Sequence, residues 1–344
     1  MKNKVYIGWD IGGANTKICV FDSTLNITRI ECININIWSN FKELNNLFDK
    51  ISKEYSVYVI FNYITITAES CDNFKDRKTG ILSILKNCNS FILGHKLFYT
   101  NQDRYIDFDS AKNNPENLYS TNWILTSKFV NKSENIHLII DIGSTTTDFI
   151  YKNMDVKENI NDHLRLINNS LLYAGVIRTP ISMLLNEVNY FSKNIPLINE
   201  FFSTTGDVFN LTNDINFEKL DYFGADNLEY SKENSFKRLA RSIGLDYQKE
   251  MQSEIIKISH MIKKELANII FKKIKLLYGD ELKNITMSSI GEGSFLAKHL
   301  AHEHKLNYFS IDDENIFTTD IIDKKILYKN FTAALVVENY HRTI

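Results

Sequence analysis

Two short segments of this chain carry the same residues at the same spacing. Residues 10–17 read Asp-Ile-Gly-Gly-Ala-Asn-Thr-Lys, and residues 141–148 read Asp-Ile-Gly-Ser-Thr-Thr-Thr-Asp. Asp, Ile, Gly and the second-last Thr match. Small residues let backbone N–H groups come close enough to cradle phosphate oxygens. Gly12, Gly13, Asn15 and Thr16 supply that surface in the first copy; Gly143, Ser144, Thr145 and Thr146 supply it in the second. Asp10 and Asp141, at the ends of apolar runs, are placed to hold Mg²⁺ directly or through its waters. Lys17 adds a positive charge. Each copy lies between two apolar runs, so each is expected to be a tight β-hairpin. That separates it from a P-loop, which ends in Gly-Lys-Ser/Thr and opens a helix, and from a dinucleotide fingerprint, which also opens a helix. A single Asp-x-Gly is an ordinary turn. Two copies about 130 residues apart point to a duplicated phosphate-binding unit.

Three other clusters suit the same chemistry. Ala174-Gly175-Val176-Ile177-Arg178-Thr179-Pro180 sets a glycine and an arginine before an expected helix at Pro180–Val188, where a helix N-terminus and a bidentate guanidinium would favour an anion. The alternative is a surface Arg178 beside a capping threonine. Gly291-Glu292-Gly293-Ser294 joins an expected strand to an expected helix, so Gly291 and Gly293 allow close backbone approach, or simply make a turn. Thr67-Ala68-Glu69-Ser70-Cys71-Asp72 offers Glu69 and Asp72 as base or metal ligand; the plainer reading is a helix N-cap at Asp72 beside a buried cysteine. His299, His302 and His304 lack the spacing and carboxylate partner of a zinc site.

The elements that must position these groups alternate short apolar runs with amphipathic stretches. In the first half, strands are expected at Lys4–Asp10, Lys17–Asp22 and Ile27–Ile35, with one or two more in Val57–Thr67. Helices are expected at Asn40–Tyr55, Asn73–Cys88 and Pro115–Val130. The pattern restarts with strands at His137–Asp141 and Thr147–Tyr151, long helices at Ser231–Ile243 and Gln248–Tyr278, a strand at Ile285–Ile290, and helices at Ser294–Ala301 and Phe331–Tyr340. This gives an α/β fold in two domains, 1–130 and 131–344, the second with a helical insertion and a terminal helix able to return to the first. The 344 residues contain only 13 Gly and 3 Pro and carry a formal charge of −2, which excludes collagenous and linker-like chains and offers nucleic acid no basic field. No apolar run approaches the length of a membrane span, no signal-peptide core opens the chain, and the four cysteines form no CxxC pair. A cytoplasmic protein with reduced thiols is expected.

The duplicated hairpin resembles that of the actin, sugar-kinase and heat-shock-chaperone superfamily, in which two ribonuclease-H-like domains face a phosphate-binding cleft. Further segments narrow the likeness. Trp9 to Lys17, Thr67 to Asp72, Ser120-Thr121-Asn122-Trp123, Asp141 to Asp148 and Tyr173 to Pro180 are similar to one hydantoinase/oxoprolinase-related family. So are Thr204-Thr205-Gly206-Asp207-Val208 and Arg238-Leu239-Ala240-Arg241. That is the family of tetrahydromethanopterin-linked one-carbon-transfer pathway proteins, whose archaeal members act in methanofuran biosynthesis. The resemblance implies a transferase that joins an aminomethylfuran-methyl diphosphate to a phenolic acceptor, γ-glutamyltyramine-like or tyrosine-derived, with release of pyrophosphate. It implies Mg²⁺ as cofactor, with ATP as the alternative ligand. In such a reaction Lys17 and Arg178 would stabilise the leaving group, and Glu69 or Asp148 would take the phenol proton. An ATP-dependent kinase or an oxoprolinase-like hydrolase is the competing enzyme class, and a nucleotide-responsive, non-catalytic pathway partner the competing binding class. Gly291-Glu292-Gly293 departs from the Gly-Gly turn of kinase adenosine pockets, which weighs against ATP.

Overall fold

The computed structural model describes residues 3–37, 41–219, 222–311, 317–319 and 324–342. In chain order the first elements are β1 (Lys4–Ile11), β2 (Asn15–Phe21), β3 (Asn26–Asn34), α1 (Phe41–Glu54), β4 (Val59–Ile66), α2 (Arg77–Phe91), β5 (His95–Tyr99), β6 (Tyr105–Ile106), α3 (Phe108–Asn113) and α4 (Asn122–Lys132). There follow β7 (Leu138–Ile142), β8 (Thr147–Tyr151), α5 (Asp162–Ile167), β9 (Leu171–Leu172), β10 (Glu187–Tyr190), β11 (Lys193–Pro196), α6 (Thr205–Leu211), α7 (Lys232–Ser242) and α8 (Gln252–Tyr278). The last are β12 (Thr286–Ile290), α9 (Ser294–Glu303), β13 (Asn307–Tyr308), β14 (Thr318–Thr319), α10 (Lys324–Lys329) and α11 (Phe331–Arg342).

The chain divides into two units. Residues 1–137, 150–165 and 310–344 form one; residues 138–149 and 166–309 form the other. The first unit is built on a sheet of order β14-β3-β2-β1-β4-β5-β6. Tight turns make β1, β2 and β3 an antiparallel meander, whereas β4 and β5 reach their places through helices and run parallel to β1. The second sheet has the order β9-β8-β7-β12-β13, with β12 parallel to β7 and to β13. Both sheets therefore repeat one plan: a three-stranded meander, then two parallel strands added on the far side of its first strand. This is the ribonuclease-H-like fold, present twice, as in the actin, sugar-kinase and heat-shock-chaperone class.

Sequence pattern explains the packing. β1 and β4 are almost wholly apolar because both faces are covered. α1 buries Leu44, Leu47, Phe48 and Ile51, spaced by three or four residues. α8 buries Ile255, Ile258, Ile262, Leu266, Ile270 and Ile274, with its lysines on the other face. α11 belongs to the first unit, where Tyr105 donates to the Val336 carbonyl at 2.6 Å. Among the described residues no helix is long and apolar enough to cross a membrane.

Val57–Thr67 holds one strand, within the one or two expected. Two expected elements differ. Pro115–Val130 is not one helix: a short 3-10 turn at Pro115–Leu118 is separated from α4 by Ser120 at φ 48°. The helix expected at Pro180–Val188 does not form. A single 3-10 turn at Ile181–Met183 is followed by the β10–β11 hairpin. The apolar residues that suggested a helix are still used inward, since Ile181 and Val188 are buried with Leu184 and Leu185 packed beside them.

Candidate functional site

The two repeats form the same turn. Gly12 N–H donates to Asn15 O at 3.0 Å, and Gly143 N–H donates to Thr146 O at 2.9 Å. In the first unit this turn joins β1 to β2. Asp10, on β1, pairs directly with Lys17, on β2. Its Oδ2 accepts from Lys17 Nζ at 3.2 Å and from the Thr332 hydroxyl of α11. Its Oδ1 is buried and has no hydrogen-bond partner among the described residues. A buried carboxylate oxygen left this way is costly unless a ligand completes it.

The segment after β4 lies against this turn. Thr67 N–H donates to Ile11 O at 2.9 Å, and a Cβ built on Gly13 would stand 2.8 Å from Cys71 Sγ. Glu69 is fully enclosed. Its Oε1 accepts from Arg77 at 2.6 Å and from Ser120 Oγ at 2.8 Å, while Oε2 is buried with no hydrogen-bond partner among the described residues. Burial raises its pKa above the ordinary carboxylate range, and the Arg77 guanidinium opposes that rise. Arg77 in turn lies over the Tyr119 ring. Asp72 is not the N-cap of the next helix. It is exposed, and Asp76 takes that place, accepting from Thr79 N–H at 2.7 Å. The left-handed Ser120 explains the break before α4: it turns the Ser120 hydroxyl to Glu69.

In the second unit three of the singled-out segments come together. Val176 N–H donates to Gly143 O at 3.0 Å, and both Ile177 and Arg178 N–H donate to Ser144 O, at 3.1 and 2.9 Å. Only a glycine fits at 175, because a Cβ there would lie 2.5 Å from Gly143 O and 2.6 Å from Thr145 N. Gly291, at φ 85°, turns the chain after β12; a Cβ there would meet Asp141 Oδ1 at 2.5 Å. Gly293 N–H then donates to Ile142 O at 2.8 Å, which seats the start of α9 beside the hairpin. Ser144, Thr145, Thr146, Asp141 and Asp148 are half-buried, and the Arg178 side chain is exposed. Arg178 does not precede a helix; a backbone turn laced to the second hairpin holds it instead. Thr179 caps no helix either: its hydroxyl closes that turn on Gly175, accepting from Gly175 N–H at 2.8 Å and donating to Gly175 O at 3.1 Å.

Gly143 differs from Gly175. Among the described residues a Cβ at 143 would meet only Thr146 O, at 3.5 Å, an ordinary contact. Gly143→Ala should therefore fold with unfolding free energy unchanged within about 0.5 kcal/mol. Because the sequence predicts that this turn cradles a phosphate, the added methyl should lower affinity for Mg²⁺-pyrophosphate about 10-fold, or about 1.4 kcal/mol. Calorimetric titration and urea denaturation of the same variant check both halves of this prediction.

Sequence reasoning did not assign roles to the 204–208 and 238–241 segments. Thr205 N–H donates to Thr179 O and Gly206 N–H to Ile177 O, so the start of α6 braces the Gly175–Pro180 turn. Asp207 and Arg238 form an ion pair with both side chains fully buried, at 2.7 Å. Nothing in the sequence marks the pair: α7 reads KENSFKRLARS, so Arg238 is one polar residue among many. The histidines are occupied otherwise: His304 stacks on Phe271, and His299 faces Glu303 at 3.8 Å. Among the described residues no group of three His, Cys, Asp or Glu could hold a metal. The Asp10 carboxylate suits an ion that takes one protein ligand and completes its shell with water and substrate phosphate, as Mg²⁺ does.

No family model matches the chain. A (4-{4-[2-(gamma-L-glutamylamino)ethyl]phenoxymethyl}furan-2-yl)methanamine synthase of Methanococcus vannielii is 33% identical over 180 residues, 51% of this chain and 79% of that one. The chain belongs to this synthase family. A protein of the same name from Methanocaldococcus jannaschii is 28% identical over 289 residues, 83% of this chain and 86% of the relative. The methanofuran synthase family is thus the part of the sequence resemblance that relatives support. Among solved structures, the activator of 2-hydroxyisocaproyl-CoA dehydratase from Clostridium difficile with bound ADPNP is 13% identical. That alignment covers 98% of this chain and 97% of that one, with a TM-score of 0.44. The ethanolamine utilization protein EutJ from Carboxydothermus hydrogenoformans is 10% identical, covering 96% and 90%, with a TM-score of 0.45. Likeness at this level does not bear on function.

Proposed function

We propose that this protein is a transferase of methanofuran-type cofactor biosynthesis that makes an aryl ether from a phenol and an aminomethylfuran-methyl diphosphate, releasing pyrophosphate. The observation that carries the reading is kinship with synthases whose named product contains a phenoxymethyl link to a furan. The phenol oxygen bonds to the furfuryl carbon as the bond from that carbon to the diphosphate oxygen breaks, its electron pair leaving on pyrophosphate. The phenol proton passes to a carboxylate.

The residues suit these demands. Ser144, Thr145 and Thr146 bring their hydroxyls to one turn, to which the Arg178 backbone is bonded through Ser144 O; hydroxyls and guanidinium would stabilise negative charge as it develops on the leaving group. Gly12, Gly13 and Asn15 present the equivalent surface on the first turn, where Thr16 is fully buried and Lys17 is fixed by Asp10. A Mg²⁺ bound at the first turn would be held by Asp10, and one bound at the second turn by Asp141; either would supply charge neutralisation for pyrophosphate. Glu69 is enclosed and committed to Arg77, so it positions that side chain. Asp148, half-buried on β8 beside the hydroxyls, is the carboxylate left to accept the proton.

The test is to supply the furanmethyl diphosphate with a phenolic acceptor, and separately ATP with the same acceptor. Pyrophosphate release with an ether product is expected. ATP turnover with no ether product would overturn the reading in favour of a kinase or hydrolase, and tight nucleotide binding with no turnover would favour a non-catalytic partner.

A further inference from the structure

The second unit contains a cavity of about 600 Å³ away from the turns described so far, between the end of α6, the segment that follows it, and the start of α7. That is the size of a site for a small organic ligand. Its walls divide by chemistry. On one side Phe217 stacks on Tyr230, with ring centroids 4.3 Å apart, and Tyr222 meets Phe217 edge-on at 6.4 Å. Phe223 also lines the cavity and is 56% exposed. On the other side Lys232 Nζ donates to the Asn210 carbonyl and, at 2.5 Å, to Asn213 Oδ1. Both acceptors are neutral, and an ammonium has three N–H groups to give. Among the described residues no carboxylate pairs with Lys232, and partial burial lowers its pKa.

The cavity is tied to the phosphate-contacting turn by one side chain. Tyr230 Oη lies 2.9 Å from Thr204 Oγ1, and Thr204 pairs with Pro180, two residues beyond Arg178. The ring that walls the cavity therefore ends at the turn that carries the arginine.

We propose that this cavity is the acceptor subsite: its rings pack against the phenol of the acceptor, and Lys232 binds the carboxylate at the acceptor's other end. A phenol bearing a γ-glutamylaminoethyl chain, the group named in the relatives' product, has both features. Exposed Glu229, at the rim, is placed to meet the α-ammonium of the same glutamyl group. This inference rests on the transferase reading for the identity of its ligand.

The experiment titrates γ-glutamyltyramine, and separately tyramine, into the full-length protein without any diphosphate, by calorimetry. Wild type should bind γ-glutamyltyramine at least about 10-fold more tightly than tyramine, the worth of one charge-assisted hydrogen bond. Lys232→Met should erase that preference, and Phe223→Ser, a surface change, should weaken both ligands. In turnover, the acceptor KM should rise in both variants while the diphosphate KM stays put. Wild-type protein that binds neither ligand, or variants that bind both as wild type does, would overturn the subsite. Normal pyrophosphate release with an unmoved acceptor KM in Lys232→Met would sink the subsite and leave the transferase standing. Acceptor binding that follows the predicted order without pyrophosphate release would sink the transferase and leave the subsite.

Discussion

Arg238→Met should lower the unfolding free energy of the second unit by about 3–5 kcal/mol, because it strips the partner from a carboxylate that has no access to water. Asp207 and Arg238 are both fully buried. Nε and Nη2 of the arginine converge on one oxygen of Asp207, at 2.8 and 2.7 Å. Burial pushes the Asp207 pKa up and the guanidinium resists the push, so removing the guanidinium leaves only the weaker hydrogen bonds from Thr204 and Ser235 to oppose burial. Arg238 has further partners. Nη1 reaches Asp226 Oδ1 at 2.8 Å, Nη2 reaches Glu229 O at 3.5 Å, and the guanidinium lies 5.0 Å from the centre of the Tyr230 ring. Phe223 and Glu229 close a small antiparallel loop around Gly224, where a Cβ would strike the guanidinium at 2.4 Å. One side chain thus holds α6, α7 and the loop that walls the proposed acceptor cavity.

The same geometry predicts how the loss is distributed. Adding Asp207→Asn to Arg238→Met removes the stranded charge and should recover part of the stability, giving a coupling of at least about 1 kcal/mol in a double-mutant cycle by urea denaturation. The variant should also bind the acceptor more weakly through the loosened loop. A loss under about 1 kcal/mol for Arg238→Met would show that the pair does not brace these elements.

The two matching hairpin turns were legible because small residues at a strand end have few uses other than a tight turn, and because the same four residues recur. Strands with both faces covered, such as β1 and β4, are legible as unbroken apolar runs, and α8 as a regular apolar stripe. The β10–β11 hairpin was not legible. Its two-residue turn is made by Phe191 and Ser192, both at positive φ (45° and 62°), where Asn and Gly would have marked it. Without that mark, Ile181, Leu184, Leu185 and Val188 keep a helical spacing that tertiary packing overrides. The cavity was illegible for a different reason. Its walls come from residues within 210–218 and 222–232, stretches with no period, and its chemistry appears only when Phe217 stacks on Tyr230 and Lys232 folds onto Asn210. Arg77 was also passed over, because nothing in sequence marks the arginine that will meet a buried Glu69 eight positions away.

Asp10→Asn should reduce pyrophosphate-releasing turnover at least about 100-fold while costing only about 1 kcal/mol of stability. The two oxygens of Asp10 are not equivalent. Lys17 and Thr332 both donate to Oδ2, so an asparagine must put its carbonyl oxygen there, since an amide NH₂ accepts nothing. The NH₂ then takes the place of Oδ1, the buried oxygen that has no partner among the described residues. It presents donors where a cation or its bound water needs an acceptor. Shape and packing are kept and the sign of one site is reversed. Wild-type protein should therefore gain thermal stability when Mg²⁺ and pyrophosphate are added together, and the variant should gain little, a comparison that needs no turnover. If Asp10→Asn keeps both its thermal shift and its rate within about 3-fold of wild type, a difference under about 1 kcal/mol, then Oδ1 is a tolerated vacancy in the core and the ion is held elsewhere.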